Sequence, residues 1–211
     1  MKWLVFGLLT SVFGIGISAS QALSADVGKK RIVVLGDSIT VGYGLEREEA
    51  YPALLQKKLD AAGLDYEVAN AGVSGDTTAG GLRRINWALG QKSAKVLLIA
   101  LGGNDGLRGI SPEQTEKNLT DMVKAARTKD PEIKILIAGM QMPGNMGTKY
   151  VEAFKLVFSK VAEAEKTELL PFLLEGVGGD DQLNQADRIH PNPAGQQKIA
   201  ELVWAKLKPM L

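Results

Sequence analysis

Short apolar runs alternate with longer amphipathic segments along most of this sequence, and this alternation is its strongest constraint on the fold. The runs are rich in Val, Ile and Leu and have the length of strands. Strands that are nearly continuous in apolar character are typical of a parallel sheet covered on both faces by helices. The pattern predicts a three-layer α/β/α sandwich with a five-stranded parallel sheet and right-handed crossovers. The predicted strands are 31–37, 66–72, 95–105, 134–140 and 168–174, and the helical segments are 48–63, 77–91, 111–130, 149–166 and 192–211.

The first residues of the chain have the features of a secretory signal peptide. Lys2 precedes an apolar run over 3–17, and the small residues of 22–24 fit a cleavage site before Ala25. The run is shorter than the roughly 18 unbroken apolar residues of a spanning helix, and an uncleaved membrane anchor is the alternative. We expect a signal peptide over 1–24, a single domain over 25–211, a periplasmic or secreted product, and no stable membrane insertion after cleavage.

The predicted mature chain carries no net charge. The segment 1–24 holds one of the 25 basic residues and none of the 24 acidic ones, so the two signs balance in the remainder. Such a chain gives no net electrostatic steering toward nucleic acid or anionic lipid, and we expect no nucleic-acid partner. The sequence contains no cysteine, which excludes disulfides and thiolate metal sites.

Polar residues follow several of the predicted strands, and ligands of such sheets bind outside the carboxyl ends of the strands. Ser38 follows the first strand, a polar segment over 74–77 follows the second, and Asn104 ends the third. Asp187 and His190, the only histidine, come after the fifth strand and a loop of about 15 residues. Each segment alone could be a plain turn or helix cap, and His190 could cap a helix that begins at the next residue. Four such segments at one edge of the sheet favour a shared function.

The chemistry that unites these residues is nucleophilic acyl transfer. The hydroxyl of Ser38 needs an adjacent base to become a nucleophile, and His190 is the only imidazole in the chain. Asp187 stands three residues earlier and can fix the tautomer and orientation of that imidazole. The oxyanion of a tetrahedral intermediate needs hydrogen-bond donors. The backbone N–H groups of Ser38 and Gly75 and the side-chain amide of Asn104 are the candidates.

A second serine, Ser74, lies in the stretch GVSGD, which is similar to the Gly-x-Ser-x-Gly turn of another class of hydrolases. Position 76 is aspartate where that pattern requires glycine, so the pattern fails. We interpret Ser74 as a loop residue.

Four blocks of the sequence resemble those of the GDSL, or SGNH, hydrolases, in the same order: LGDSIT, NAGVSGDTTAGGL, LGGNDGLRGI and DRIHPN. The resemblance covers nearly the whole mature chain and is strongest to the bacterial periplasmic arylesterase, thioesterase and lysophospholipase group. It implies a flavodoxin-like sheet, with no cofactor and no metal. It also implies Ser38 as nucleophile, Asp187 and His190 as acid and base, and Ser38, Gly75 and Asn104 as oxyanion donors.

The fourth block departs from the family pattern, which commonly reads Asp-Gly-x-His-Pro. Arg188 stands here between Asp187 and Ile189. We interpret this arginine as tolerated, although it could narrow or charge the mouth of the site.

The sequence predicts a secreted serine esterase that acts on aryl, short-to-medium acyl, thioester or lysophospholipid substrates through an acyl-enzyme on Ser38. The alternatives are a carbohydrate acetylesterase, which the low number of aromatic residues disfavours, and a catalytically silent acyl- or lipid-binding protein, which would not need the triad. We expect a monomer whose partner is a small ester or lipid. The predicted acyl-contacting residues are Leu107, Ile110, Met142 and Pro143, and Met140 and Met146 are further candidates.

Overall fold

The apolar runs form a five-stranded parallel sheet in a computed structural model that describes residues 28–91 and 93–211. The order β2-β1-β3-β4-β5 is the flavodoxin-like order, which confirms the predicted fold class. The predicted signal peptide lies outside the described residues. The strands are β1 (Lys30–Gly36), β2 (Tyr66–Gly72), β3 (Ala94–Ala100), β4 (Lys134–Ala138) and β5 (Glu168–Leu170).

Three strands end two or more residues earlier than the sequence predicts, and the local backbone explains two of these differences. The strand predicted over 95–105 ends at Ala100, because Gly102 turns the chain with a φ of 123°. The strand predicted over 168–174 ends at Leu170, because Pro171 has no N–H to donate to the ladder. The strand predicted over 134–140 ends at Ala138.

Helices cover both faces of the sheet, as the sandwich architecture requires. On one face α3 packs against α5, and α5 packs against α6, whereas α2 and α7 pack against each other on the opposite face. The helices are α1 (Ser38–Val41), α2 (Tyr51–Ala61), α3 (Thr78–Leu89), α4 (Gly103–Leu107), α5 (Pro112–Lys129), α6 (Thr148–Glu165) and α7 (Pro193–Leu207). No helix of the described residues is long and apolar enough to cross a membrane.

The core lies between the central strands and the two helical layers. Leu97, Leu98 and Ile99 of β3 are completely buried, as is Leu119 of α5 on one face and Ile199 of α7 on the other. Each such side chain contributes about 1.5–3 kcal/mol relative to an exposed position. This two-sided burial fixes the carboxyl ends of β1 and β3, from which the candidate site is built.

Capping residues determine where two of the helices begin. Ser111 accepts a hydrogen bond from the N–H of Gln114 and caps α5, as the serine-proline pair at its start indicates. Asn192 accepts from the N–H of Gly195 and caps α7, which begins at Pro193 rather than two residues earlier. His190 is therefore not a helix cap, and the plainer interpretation of this residue is wrong.

Candidate active site

The predicted nucleophile lies at the first position of a one-turn helix that follows β1. Asp37 caps this helix, and its Oδ1 accepts a hydrogen bond of 3.0 Å from the N–H of Ile39. Ser38 is thus the first residue of α1 and not its cap. An N–H in the first turn of a helix has no acceptor within that helix, so the N–H of Ser38 is available to a ligand. Gly42 ends the helix in the left-handed region, with a φ of 79°.

Ser38, His190 and Asp187 form one hydrogen-bonded series across the rim of the sheet. The Oγ of Ser38 lies 2.9 Å from Nε2 of His190, and Nδ1 of the same ring lies 2.6 Å from Oδ2 of Asp187. An ionised carboxylate only accepts, so Nδ1 carries the hydrogen of a neutral ring and Nε2 is left to accept from the serine hydroxyl. This is the arrangement in which a serine can lose its proton to the base.

The Asp187 carboxylate is held in its ionised form. The hydrogen bond from the His190 side chain, followed by those from the backbone N–H groups of His190 and Ile189, lowers the pKa of Asp187 to about 2. Both backbone bonds are 3.0 Å long and reach Oδ1. The residue therefore acts as a fixed negative acceptor behind the imidazole at neutral pH.

The loop that carries His190 is closed at its base by backbone pairing. Asn184 and Pro191 form an isolated β-bridge, and the N–H of Gln185 donates to the carbonyl of His190 over 2.8 Å. The side chain of Asn184 donates to the carbonyls of Val177 and Asp180 at 2.6 and 2.8 Å. This pairing holds the histidine against the sheet although the loop has no strand or helix of its own.

Arg188 occupies the position at which the fourth block commonly has glycine, and its backbone shows why. Its φ of 61° lies in the left-handed region, which favours glycine. The guanidinium binds the carboxylate of Asp181 through two hydrogen bonds of 2.7 and 3.1 Å. The arginine is accommodated by this exposed ion pair and does not interrupt the contact between Asp187 and His190.

The predicted oxyanion donors come from the ends of β2 and β3. Gly75 lies in a turn with a φ of 77°, and its N–H makes no hydrogen bond to any described residue. Asn104 lies in the first turn of α4, where its Nδ2 donates to the carbonyl of Asp76 over 2.9 Å and approaches Oδ2 of Asp37 at 3.5 Å. Because Asp76 directly follows Gly75, this bond fixes the two predicted donors relative to each other.

Ser74 lies in the exposed turn that precedes these donors. The turn is closed by a bond from the N–H of Asp76 to the carbonyl of Val73. The single histidine of the chain is bonded to Ser38 and not to Ser74.

Comparison with known proteins gives one consistent result. The model of the GDSL-like lipase/acylhydrolase family matches residues 34–198. The chain belongs to this family. It is therefore an enzyme that hydrolyses ester bonds.

The relatives of this GDSL hydrolase match over nearly its whole length. Esterase TesA of Pseudomonas aeruginosa is 46% identical over 196 residues, which are 93% of this chain and 96% of the relative. Thioesterase 1/protease 1/lysophospholipase L1 of Escherichia coli is 38% identical over 191 residues, or 90% and 88% of the two chains. The crystal structure of the psychrotrophic esterase EstA from Pseudoalteromonas, inhibited by monoethylphosphonate, matches with a TM-score of 0.80 and 34% identity. The match covers 85% of this chain and 97% of the EstA chain.

A mostly apolar cavity of about 430 Å³ in this GDSL hydrolase is lined by Ile39, Gly103 and Ile189, the chain neighbours of Ser38, Asn104 and His190. Three of the four predicted acyl-contacting residues, Leu107, Met142 and Pro143, line it. The fourth, Ile110, is not among its lining residues, and its carbonyl accepts a hydrogen bond of 2.7 Å from the hydroxyl of Tyr150. Of the two further candidates, Met140 lines the cavity, whereas Met146 borders a separate groove.

A partly buried arginine that the sequence analysis did not single out joins the ends of two strands to the loop that carries Gly75. Arg84 of α3 donates to Oδ2 of Asp76 at 2.7 Å and to the carbonyls of Ala71 and Gly36 at 2.6 and 3.0 Å. A spacing of four places Gly80 and Arg84 on one face of α3, and Asp76 lies four residues before Gly80, just ahead of the helix. A Cβ at Gly80 would collide with the Asp76 carboxylate. That spacing was the signal available in the sequence.

Asp105, a second residue that the sequence analysis did not single out, has a similar role in the interior of the protein. It is completely buried and accepts hydrogen bonds from the N–H and the hydroxyl of Thr78, the first residue of α3. Asn118 of α5 donates to the same hydroxyl over 2.9 Å. Asp105 thus attaches the start of α3 to α4, the helix that carries Asn104.

Asp37 is the second buried carboxylate of the rim, and its ionisation differs from that of Asp187. It is 2% exposed, and burial raises its pKa from the ordinary 3.8 to about 6. The bond from the N–H of Ile39 and the nearby imidazole of His190 partly oppose this rise. The sequence identifies Asp37 as part of the first block but not as a titrating group.

Proposed function

We propose that this protein is an exported serine esterase that cleaves aryl and short-to-medium acyl esters, thioesters or lysophospholipids through an acyl-enzyme on Ser38. The observation that carries the proposal is the series of contacts from Ser38 through His190 to Asp187, at 2.9 and 2.6 Å. Membership of the GDSL family and the names of the relatives, which include an esterase and a thioesterase/lysophospholipase, support the same reaction class.

In the first half of the reaction, the Oγ of Ser38 attacks the carbonyl carbon while its proton passes to Nε2 of His190. Asp187 stabilises the imidazolium that forms. The carbonyl oxygen becomes an oxyanion, for which Ser38 and Gly75 offer backbone N–H groups and Asn104 a side-chain N–H. The bond to the leaving oxygen or sulfur then breaks, and the proton on Nε2 goes to that atom.

In the second half, water replaces the alcohol or thiol that has departed. His190 takes a proton from the water as it attacks the acyl-enzyme, and the same oxyanion donors serve again. Collapse of the second tetrahedral intermediate releases the carboxylic acid and returns the proton to Ser38. The cycle needs no group beyond the residues named here and water.

The cavity next to Ile39, the residue that follows Ser38, is the proposed site of the acyl chain. Its volume of about 430 Å³ lies within the usual range for small-molecule sites. Leu107, Met142 and Pro143 would contact the chain, and Ile189 lies at the same wall. Apart from Gln141 and Arg188 the lining carries no polar side chain, and this favours an acyl chain over the polar ring of a sugar acetate, the substrate of the carbohydrate-esterase alternative.

Export rests on the signal-peptide features of 1–24. Expressed with these residues in a Gram-negative host, the protein is expected in the soluble periplasmic fraction with an N-terminus near Ala25. Mass spectrometry of the purified protein measures this directly. A membrane-bound product that still contains Lys2 would show that the segment is not cleaved and anchors the protein in the membrane.

The test of the enzymatic proposal compares Ser38→Ala with a matched control, Ser74→Ala. Hydrolysis of p-nitrophenyl esters of increasing acyl length is expected in the native protein and in the control, and almost none in Ser38→Ala, because losing the nucleophile costs on the order of a millionfold. A fluorophosphonate should label one site, and peptide mass spectrometry should locate it at Ser38. Labelling of Ser74, or hydrolysis retained by Ser38→Ala, would refute the assignment.

A further inference from the structure

An exposed aromatic ring packs against the predicted catalytic base. Tyr43 follows α1, and its ring centroid lies 4.7 Å from that of His190, with the two planes inclined by 40°. The residue nevertheless remains 53% exposed. An exposed tyrosine at this place has one part against the imidazole and another part free to contact a ligand.

The ring is carried by a segment that is fixed on both sides. The N–H of Tyr43 donates to the carbonyl of Ser38 over 3.0 Å, and Nε2 of Gln185 donates to the carbonyl of Tyr43 over 2.7 Å. The backbone N–H of the same glutamine binds the carbonyl of His190. A Cβ at Gly44, whose φ is 78°, would collide with the Gln185 side chain. Gln185 therefore holds Tyr43 beside His190, although Gln185 and Tyr43 are 142 residues apart in the sequence.

The reaction itself determines what must lie beside the imidazole. When the tetrahedral intermediate collapses, the proton on Nε2 of His190 goes to the leaving oxygen as the carbon–oxygen bond breaks. That oxygen must be within hydrogen-bond distance of Nε2, so the atoms attached to it lie close to whatever flanks the ring. Tyr43 is the aromatic group in contact with His190.

The two sides of the site differ in their lining. The acyl cavity is bounded by Leu107, Met142 and Pro143 among others, and Tyr43 does not line it. Tyr43 lines a different groove, of about 460 Å³, together with Leu45 and other residues, and the two sets of lining residues have no member in common. The acyl chain and the leaving group therefore have separate places available to them.

We propose that Tyr43 binds the leaving group of the ester and favours an aromatic alcohol over an aliphatic one of similar size. This inference rests on the proposed function and adds a specificity residue to it. Aromatic rings in contact gain about 0.5–1.5 kcal/mol beyond the area that they bury. Converted to rates, this is a preference of about 2- to 10-fold for the aromatic leaving group.

The test uses two butyrate esters with alcohols of similar size and acidity, benzyl butyrate and cyclohexylmethyl butyrate. Tyr43→Leu is expected to lower kcat/KM for the benzyl ester about 2- to 10-fold more than for the cyclohexylmethyl ester. Tyr43→Phe keeps the ring and should keep the preference. Trp87→Leu removes an exposed aromatic residue from α3 and is the matched control. An equal loss on both esters in Tyr43→Leu would overturn the proposal.

A second measurement separates leaving-group binding from positioning of the imidazole. The leaving group has departed before deacylation begins, so Tyr43→Leu should hydrolyse the butyryl-enzyme at the native rate, as measured by acid quench and mass spectrometry. Deacylation slowed as much as acylation would show that the ring positions His190, and would overturn the proposal. Failure of the native protein to hydrolyse any ester would instead overturn the proposed function, and this inference with it.

The hydrogen bond from Gln185 to Tyr43 can be tested with a variant that does not touch the ligand. Gln185→Ala removes the bond to the Tyr43 carbonyl and should reduce the preference for the benzyl ester. Gln182→Ala changes an exposed side chain of the same loop and should leave the preference unchanged. A preference that is equal in the two variants would show that Gln185 does not hold the ring in place.

Discussion

The Ser38 side and the His190 side of the candidate site are held in place by different kinds of structure. Ser38 follows a strand that is buried on both faces, and its neighbour Asp37 is 2% exposed. His190 lies on a loop without regular structure, and the side chain of Asp187 is 39% exposed. The sheet positions the first side, whereas a few local hydrogen bonds position the second.

The two aspartates show the consequence for ionisation. Burial dominates at Asp37 and raises its pKa to about 6, whereas hydrogen bonds dominate at Asp187 and lower its pKa to about 2. Asp187, the carboxylate behind the imidazole, thus lies near the surface and accepts three hydrogen bonds, which keep it charged. Asp37, the buried carboxylate next to Ser38, is not the residue that holds a negative charge behind the imidazole.

The largest expected effect lies on the exposed side. His190→Gln removes the base, and we expect turnover of p-nitrophenyl acetate to fall by on the order of a millionfold, as in other triads that lose a member. The thermal unfolding midpoint should change little, because the ring is held by its own loop and is partly exposed. Gln182→Ala on the same loop is the control. Substantial turnover in His190→Gln would refute the triad.

On the buried side, Asn104→Leu tests the predicted oxyanion donor. The change keeps a similar bulk and deletes the side-chain amide, including the N–H that binds the Asp76 carbonyl. Losing one oxyanion donor typically costs about 100- to 1,000-fold in kcat. KM should change little, since the bond strengthens in the transition state. Asn86→Leu alters an exposed asparagine of α3 and serves as the control. An unchanged kcat with a raised KM would show that Asn104 binds substrate only.

The opposite pKa shifts predict two separate limbs in the pH dependence of stability. The native state binds the Asp37 proton more tightly than the unfolded state, so the free energy of unfolding should fall by about 3 kcal/mol as pH rises from 3.8 to about 6. Asp187 has the opposite sign: its contribution is present above 3.8 and is lost as pH falls toward about 2.

Urea unfolding at a series of pH values measures both limbs, and each variant should change one of them. Asp37→Asn keeps a capping side chain and should remove the decline between pH 3.8 and about 6. Asp187→Asn should leave that decline in place and reduce the loss of stability at lower pH. A decline that persists in Asp37→Asn would assign it to another group.

The same contrast explains what the sequence predicted and what it did not. Apolar runs revealed the strands because burial on both faces constrains every residue of a strand. Parallel strands then bring Ser38 and Asn104 to one edge by topology alone. The contact between Gln185 and Tyr43 joins two loops 142 residues apart and leaves no periodic signal. Burial of Asp37 likewise depends on packing around the residue, which its type does not indicate.

The smallest expected effect concerns Arg188, where the exposed loop carries a strained backbone. A φ of 61° costs a residue with a Cβ roughly 1–2 kcal/mol. Arg188→Gly removes that strain but loses the exposed ion pair with Asp181, which is worth about 0–1 kcal/mol. It also raises the conformational entropy of the unfolded chain, which costs about 0.4–1 kcal/mol of stability. Taken at the middle of their ranges, these terms leave a gain of roughly 0.3 kcal/mol in the free energy of unfolding, with extremes of about −1 and about +1.6 kcal/mol, and urea unfolding measures it. Lys166→Gly, at a φ of 51° after α6, is the control, because it removes similar strain without an aspartate partner. If Arg188→Gly is destabilised by more than 1 kcal/mol while Lys166→Gly is stabilised, the ion pair with Asp181 and not the backbone determines the stability of this loop.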